Sequence, residues 1–359
     1  MTPTDRRRRR LGCLVTLVTL AIGLVGLEVG FRVYLLNFAP RERAKKWLRP
    51  ADMPKTTLRY APHPYTVYGL NPDFRSDDGL DRHFPPGFRG DAVDAEPKPG
   101  VVRIACLGGS STYDTEIASF QDAYPAVLER ALRDEHGRET EVINAGVPGY
   151  TSFESLVHLE MRVLPFRPDV VIVYHAVNDV HARLVPPEDY RRDNTGYRHE
   201  WREVRRWWDR SMLLHAFGVQ ARFSQRNNLR AWTMTLDDRP PESVRDEWLD
   251  ENPPAFFRRN LEAMVALVRT TGARPVLMTW AHSPHMDDYA STAAYRRGFA
   301  EHNDVIREVA ASTGAELLDF APAMPQDPEY WHDGRHSNER GARFKAEWVA
   351  RELVERGVL

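Results

Sequence analysis

Residues 101–107 (VVRIACL) and 170–174 (VVIVY) are short, nearly continuous apolar runs, each the length of one strand. A strand with one face in water alternates apolar and polar residues, whereas a run like VVIVY is buried on both faces. Both faces of such a strand must be covered, and what alternates with these runs along the chain decides whether helices do it.

The residues around them read as helices and further strands. Ser119 or Asp122 can cap a helix with Pro125 in its first turn; Val127, Leu128, Ala131 and Leu132 form its apolar face and Gly137 ends it. Residues 141–144 read as a second strand. Thr151 and Glu154 have capping-box spacing ahead of Leu156, Val157, Leu159 and Val163, with Pro165 as the stop. After a long interruption come a helix at 256–269, a strand at 275–280, a helix at 295–312, a strand at 316–320 and a helix at 339–355. Five strands alternating with helices predict a three-layer α/β/α domain around a five-stranded parallel sheet. Ligands of such sheets collect at the carboxyl ends of the strands.

The N-terminus departs from this pattern. Residues 6–10 are all arginine, and residues 11–27 run for 17 positions without a charge. As a helix this run is about 26 Å long, near the lower limit for the ~30 Å hydrocarbon core. It extends to residue 36 if Glu28 and Arg32, at i and i+4, pair near the interface. Arginines ahead of the run predict a single-pass membrane protein with its N-terminus cytoplasmic and the rest extracytoplasmic. The chain then divides into a basic tail (1–10), a transmembrane anchor (11–36), a stalk and extension (37–100) and a catalytic domain (101–359). A cleaved secretion signal is the rival reading, but no small-x-small site closes the run. Cys13 precedes the run, on the wrong side for the lipidated cysteine of a lipoprotein. Residues 37–100 are rich in proline and charge and read as irregular, with Tyr60, Tyr65, Tyr68, Phe84 and Phe88 packing in part on the following domain.

The interruption, 181–254, holds five of the nine tryptophans (Trp201, Trp207, Trp208, Trp232, Trp248) and many arginines. It is too long for a bare loop and is expected to be a helical insertion beside the strand ends. Its tryptophans either pack a small core or form a lid that stacks on sugar rings. The whole chain, 42% hydrophobic and 28% charged, has the composition of a globular protein. Its net charge of -2 provides no field for nucleic acid, and two cysteines outside any CxxC pair exclude a disulfide framework.

Chemistry is expected where the first strand ends, in Gly108-Gly109-Ser110-Ser111-Thr112. A serine at such a turn can present its hydroxyl and nearby N–H groups to one point, as an oxyanion hole requires. An ordinary Gly-rich turn or a phosphate cradle is the competing reading. The segment is neither a Walker A nor a GxGxxG nor a GxSxG motif. Asn144-Ala-Gly-Val-Pro-Gly149 follows the second strand, His175-Ala-Val-Asn178-Asp179 follows the third, and Asp333-Gly-Arg-His336 precedes the last helix. A carboxylate three residues before a histidine can hold one ring nitrogen so that the other faces a serine.

In this order and at these positions the blocks resemble the SGNH (GDSL-type) hydrolases, in particular their membrane-anchored bacterial members. The resemblance covers residues 101–355 and extends to a Gly-Phe-Arg-Gly element at 87–90. It implies a flavodoxin-like α/β/α fold, Ser110 as nucleophile, His336 as general base and Asp333 as the residue that orients it. It further implies an oxyanion hole made of the Ser110 N–H, the Gly149 N–H and the Asn178 side chain, with neither metal nor organic cofactor. Two positions depart from the pattern: Gly109 stands for the Asp of GDS, and Ala176 for the Gly of GxND. The implied activity is hydrolysis of O-acyl esters, acetyl or short acyl, on a glycan or lipid through an acyl-serine. The alternatives are an O-acyltransferase acting on an exported polysaccharide and a non-catalytic tethered binding protein.

Other candidate residues have plainer readings. His332 and His336 share i, i+4 spacing, but Gly334 works against the helix that a zinc site resembling HExxH needs. His282 and His285 are read as loop histidines beside the site, Asp114 and Asp179 as caps, and Cys106 as a small buried hydrophobe.

Overall fold

The computed structural model describes residues 3–40, 43–44, 47–48, 52, 55–193, 207–221, 223, 245–286 and 291–359. The chain opens with helix α1 (Pro3–Asn37), followed by two strand pairs, β1 (Tyr60–His63) with β2 (Val67–Leu70) and β3 (His83–Phe84) with β4 (Phe88–Arg89). Then come β5 (Val102–Gly108), α2 (Ser110–Tyr113), α3 (Tyr124–His136), β6 (Thr140–Gly146), α4 (Ser152–His158), β7 (Val170–Tyr174) and α5 (Val177–Arg183). The last part holds α6 (Met212–Gln220), α7 (Trp248–Glu251), α8 (Ala255–Thr270), β8 (Arg274–Met278), α9 (Ala293–Thr313), β9 (Glu316–Leu318) and α10 (Glu339–Glu355). These elements form two compact units, one of Met1–Pro54 with Arg202–Asn228 and one of Lys55–Trp201 with Leu229–Leu359.

The larger unit is built on a seven-stranded sheet of order β3-β4-β6-β5-β7-β8-β9. Strands β6, β5, β7, β8 and β9 are mutually parallel and are the five expected. The additional strands come from the extension, where β4 joins β6 antiparallel with Arg89 opposite Asn144, and β3 pairs with β4. Strands of two residues carry no readable periodicity, so the extension looked irregular in sequence.

Alternate strand residues go to opposite faces. Ile104, Cys106, Val170, Ile172, Tyr174, Val276 and Met278 pack with α3 and α10. Ala105, Leu107, Ile143, Val171, Val173 and Leu277 pack with α8 and the C-terminal part of α9. Both sets are buried, which is the physical meaning of the unalternating runs. Gly137 ends α3 in the left-handed conformation, with φ 63°. Thr151 and Glu154 close the expected capping box. Ser119 caps a single 3-10 turn instead of α3, whose first N–H, that of Tyr124, is taken by the Asp114 carboxylate.

In the smaller unit the expected Glu28–Arg32 pair is replaced. Glu28 bonds to Ser211, Met212 and Leu213 at the start of α6, and Arg32 reaches Asp52 at 3.4 Å. The N–H groups at a helix start are unpaired donors in a positive field, and they hold a carboxylate better than one guanidinium on the same exposed helix. The described tryptophans of the insertion divide between the units, Trp207 and Trp208 in the smaller and Trp248 in the larger. Trp201 and Trp232 lie outside the described residues.

Candidate active site

Strand β5 ends at Gly108, and the chain turns through Gly109 directly into α2, whose first residue is Ser110. The turn demands glycine at 108 and leaves little room for a side chain at 109. A Cβ on Gly108 would lie 2.0 Å from Thr112 Oγ1 and 2.5 Å from the Tyr174 carbonyl oxygen, and one on Gly109 would lie 2.9 Å from Asn178 Nδ2.

Ser110 Oγ is 2.8 Å from His336 Nε2, and His336 Nδ1 is 2.9 Å from Asp333 Oδ2. With Nδ1–H donating to the carboxylate, Nε2 is left to accept the serine hydroxyl proton. Asp333 Oδ1 is also engaged, accepting the N–H groups of Arg335 at 2.7 Å and His336 at 2.8 Å. Burial raises the Asp333 carboxyl pKa, but the His336 hydrogen bond and charge, with these two N–H groups, outweigh it and hold the pKa below its ordinary value. Asp333 is therefore an anion at neutral pH, as an orienting group must be. Ser110 and His336 are 4% and 5% exposed.

The histidine loop is braced on several sides. His336 O accepts the His332 N–H at 2.8 Å, Gly334 O accepts the Ser283 N–H at 3.0 Å, and Asn338 caps α10. Ser111 Oγ donates to Arg335 O at 3.2 Å, which ties the serine turn to the histidine loop.

The other two blocks meet at the same turn. Asn178 Nδ2 donates to Tyr150 O at 2.7 Å, and a primary amide has a second hydrogen for a ligand. Gly149, the residue before Tyr150, has φ 84°, which favours glycine. Gly146, the alternative in that block, is a packing glycine: a Cβ there would lie 2.3 Å from Tyr113 N. The Ala176 methyl packs into the hydrophobic core.

The plainer candidates are also placed. Asp179 accepts from Ser152 N and Oγ, and Asp114 from the Tyr124 N–H. His282 lies against the Trp280 and Phe299 rings, and burial lowers its pKa to about 4. The His285 N–H donates to Ser283 Oγ. Cys106 is fully buried and its thiol pKa is pushed up to about 12. His332 sits 3.4 Å from Glu116, and no group of three metal-ligating side chains occurs among the described residues.

Sequence reasoning missed the groups that hold the serine turn in place. From one side Arg89, in the Gly-Phe-Arg-Gly element, donates to the carbonyls of Tyr113 at 2.6 Å, Asp114 at 2.9 Å and Ile117 at 2.7 Å, and its Nε bonds Asp81 at 2.7 Å. From the other side Lys345 of α10 donates to Ser111 O. The β1–β2 hairpin braces the Gly149 loop: Tyr68 Oη donates to Pro148 O at 2.8 Å, and Tyr150 Oη to Thr66 Oγ1 at 2.9 Å. The local signals were an arginine flanked by glycines at 87–90 and, for the hairpin, the tyrosine cluster that includes Tyr68.

A hydrogen-bonded serine, histidine and aspartate at the carboxyl edge of a parallel α/β/α sheet define the class, a serine hydrolase. Residues 106–344 match the model of the GDSL-like lipase/acylhydrolase family. The chain belongs to that family and is a serine ester hydrolase. Among solved structures it is similar to a lipase/acylhydrolase from Enterococcus faecalis, at 20% identity over 71% of this chain and 97% of that one, with a TM-score of 0.42. It is also similar to an acetyl xylan esterase from Geobacillus stearothermophilus, at 17% identity over 70% of this chain and 94% of that one, with a TM-score of 0.45. Among curated proteins no match is found.

Proposed function

We propose that Ser110 is the nucleophile, His336 its general base and Asp333 the group that orients the histidine. The N–H groups of Ser110 and Gly149 and the Asn178 amide receive the oxyanion. The Ser110 hydroxyl gives its proton to His336 Nε2 as its oxygen bonds the ester carbonyl carbon. The tetrahedral intermediate then collapses, the bond to the alcohol oxygen breaks, and His336 returns the proton to the leaving alcohol. Water repeats the sequence on the acyl-serine and releases the acid. The substrate is an O-acyl ester of a glycan or lipid with an acetyl or other short acyl group.

In the same proposal the anchor, residues 11–36, crosses the membrane once with its charge-free run at 11–27 in the hydrocarbon core and Glu28 at the outer interface; the N-terminus is cytoplasmic and the domain over 101–359 works outside. Leu11, Leu14, Leu17, Leu20 and Leu24 are all exposed around α1, a surface suited to lipid.

The observation that carries the enzymatic reading is the Ser110–His336–Asp333 series. The full chain in detergent is expected to react with a fluorophosphonate probe and to hydrolyse p-nitrophenyl acetate, and Ser110→Ala to do neither. Equal labelling and turnover in Ser110→Ala would overturn the assignment. Acetyl appearing on a sugar acceptor faster than as free acetate would make the enzyme a transferase. Carbonate-washed membranes are expected to retain the uncleaved chain; release of a shortened soluble form would mean a cleaved signal.

A further inference from the structure

Glu28 is the first charged residue after the apolar run at 11–27, and its whole carboxylate is used at one place. Oε2 accepts from Ser211 Oγ at 2.7 Å and the Leu213 N–H at 3.0 Å, and Oε1 accepts from the Met212 N–H at 2.7 Å. Ser211 Oγ accepts in turn from the Leu214 N–H at 3.1 Å. Two side chains thus close the N-terminus of α6, leaving no anion site, and fix that helix to α1 at the level of residue 28.

Helix α6 (MLLHAFGVQ) carries no Asp, Glu, Lys or Arg. Met212, His215, Ala216 and Val219 are buried, while Leu214 is 43% and Phe217 68% exposed. Beside the helix, Trp207 is 74% and Phe223 64% exposed. Water-facing surfaces seldom carry such a concentration of large apolar groups. Tryptophan, phenylalanine and leucine exposed beside a membrane anchor are the side chains of the aromatic and apolar belt at a bilayer interface. The depth agrees with that composition. A helix of nine residues is about 13 Å long. Its start is fixed at the level where the apolar run of α1 ends and the headgroup layer begins, and Phe217, five residues on, is within about 8 Å of that level, comparable with the roughly 5–8 Å thickness of the layer.

We propose that residues 207–221 with Phe223 are an interfacial docking element whose occupant is phospholipid. Trp207, Leu214, Phe217 and Phe223 enter the headgroup–acyl boundary, and Glu28 sets their depth. This rests on the anchor reading of α1 and extends it: the chain meets the membrane twice, at residues far apart in sequence.

The test uses the full chain carrying Cys13→Ser, with a spin label at Phe217→Cys or at Leu20→Cys, in vesicles of phosphatidylcholine and phosphatidylglycerol. Collisions with oxygen report lipid, and collisions with a water-soluble nickel chelate report water. Both labels are expected to favour oxygen. Glu28→Ala should raise nickel access at position 217 severalfold without changing it at position 20, and Ser211→Ala should do the same to a smaller extent. A label in lipid at 20 but in water at 217 overturns the proposal and leaves the anchor standing. Labels in water at both positions overturn the anchor and the proposal with it. A label at 217 shielded from both reagents means a protein cover, such as a second copy, and also overturns it. Unchanged access at 217 in Glu28→Ala overturns the depth-setting role of Glu28. Turnover of p-nitrophenyl acetate by each variant checks that the larger unit is folded.

Discussion

Lys345 Nζ lies 3.2 Å from Asp114 Oδ1, and both side chains are almost completely enclosed. The same ammonium donates to the Ser111 carbonyl at 2.7 Å and lies over the Tyr124 ring at 4.2 Å. A cation from the last helix thus satisfies the backbone of the turn that presents Ser110 and neutralises the carboxylate that starts α3.

Lys345→Met keeps the bulk of the stem and removes the charge, leaving Asp114 buried and unpaired. Breaking a buried pair from one side costs about 3–5 kcal/mol, so urea unfolding should show a loss of that order. In whatever fraction folds, kcat should fall more than KM changes, because the affected groups hold the serine turn. Lys345→Met with Asp114→Asn should recover much of the stability, since the amide oxygen still accepts the Tyr124 N–H. No recovery in the double variant would contradict the pairing.

Asp333→Asn leaves an oxygen for the Arg335 and His336 N–H groups but turns an NH2 toward His336 Nδ1. The histidine must then accept at Nδ1 and carry its proton on Nε2, facing Ser110 as a donor. Loss of the correct tautomer lowers kcat by about 10⁴-fold in a comparable triad. Steady-state hydrolysis of p-nitrophenyl acetate measures it, and a drop of less than tenfold would remove Asp333 from the orienting role.

Gly109→Asp restores the residue of the founding GDS motif, yet it is expected to harm this enzyme. The new Cβ would lie 2.9 Å from Asn178 Nδ2 and 3.4 Å from Tyr150 O. The amide must move away from the serine turn, and losing one oxyanion donor lowers kcat by about 10²- to 10³-fold. Retained activity would show that Asn178 has room to adjust.

The larger unit is expected to lose stability as pH falls below about 6.5. Burial holds His83 down to about pKa 4 and His158, His175 and His302 down to about 3, with Arg162 and Arg183 adding to the effect at His158 and His302. Unfolded, these histidines take up protons near pH 6.5; folded, they stay neutral down to pH 3–4. Their stabilising contribution is therefore complete above about 6.5 and is lost as pH falls toward the folded values. Each adds a slope of at most about 1.4 kcal/mol per pH unit, about 5.5 for the four together. The depressed carboxyls of Asp333 and Asp319 act lower, their contribution fading only below the ordinary carboxylate range. Urea unfolding at pH 7.5, 6.0 and 5.0 measures the slope. His158→Phe should reduce it by one group, since His158 Nε2 has no hydrogen-bond partner among the described residues.

Where a signal was local, the sequence was readable. VVIVY showed a strand covered on both faces, Gly137 and the Thr151–Glu154 box marked helix ends, and the residues 339–355 were read as the helix that α10 is. The serine, glycine, asparagine and aspartate–histidine blocks stood out because each follows a strand or precedes a helix, where a topology of this kind collects its ligands. The short strands β3 and β4 were missed because two residues have no period to detect.

Local patterns in the chain were enough for the layered fold and the order of its parallel strands, and they named the side chains proposed for the site. What holds those side chains in place emerges in the folded chain: Arg89 on the carbonyls of 113–117 and Lys345 on Ser111 and Asp114. Secondary structure follows from neighbours within a few positions. These two buried cations answer instead to unpaired carbonyls and a carboxylate 24 to 234 residues away, which have no partner until the chain has folded.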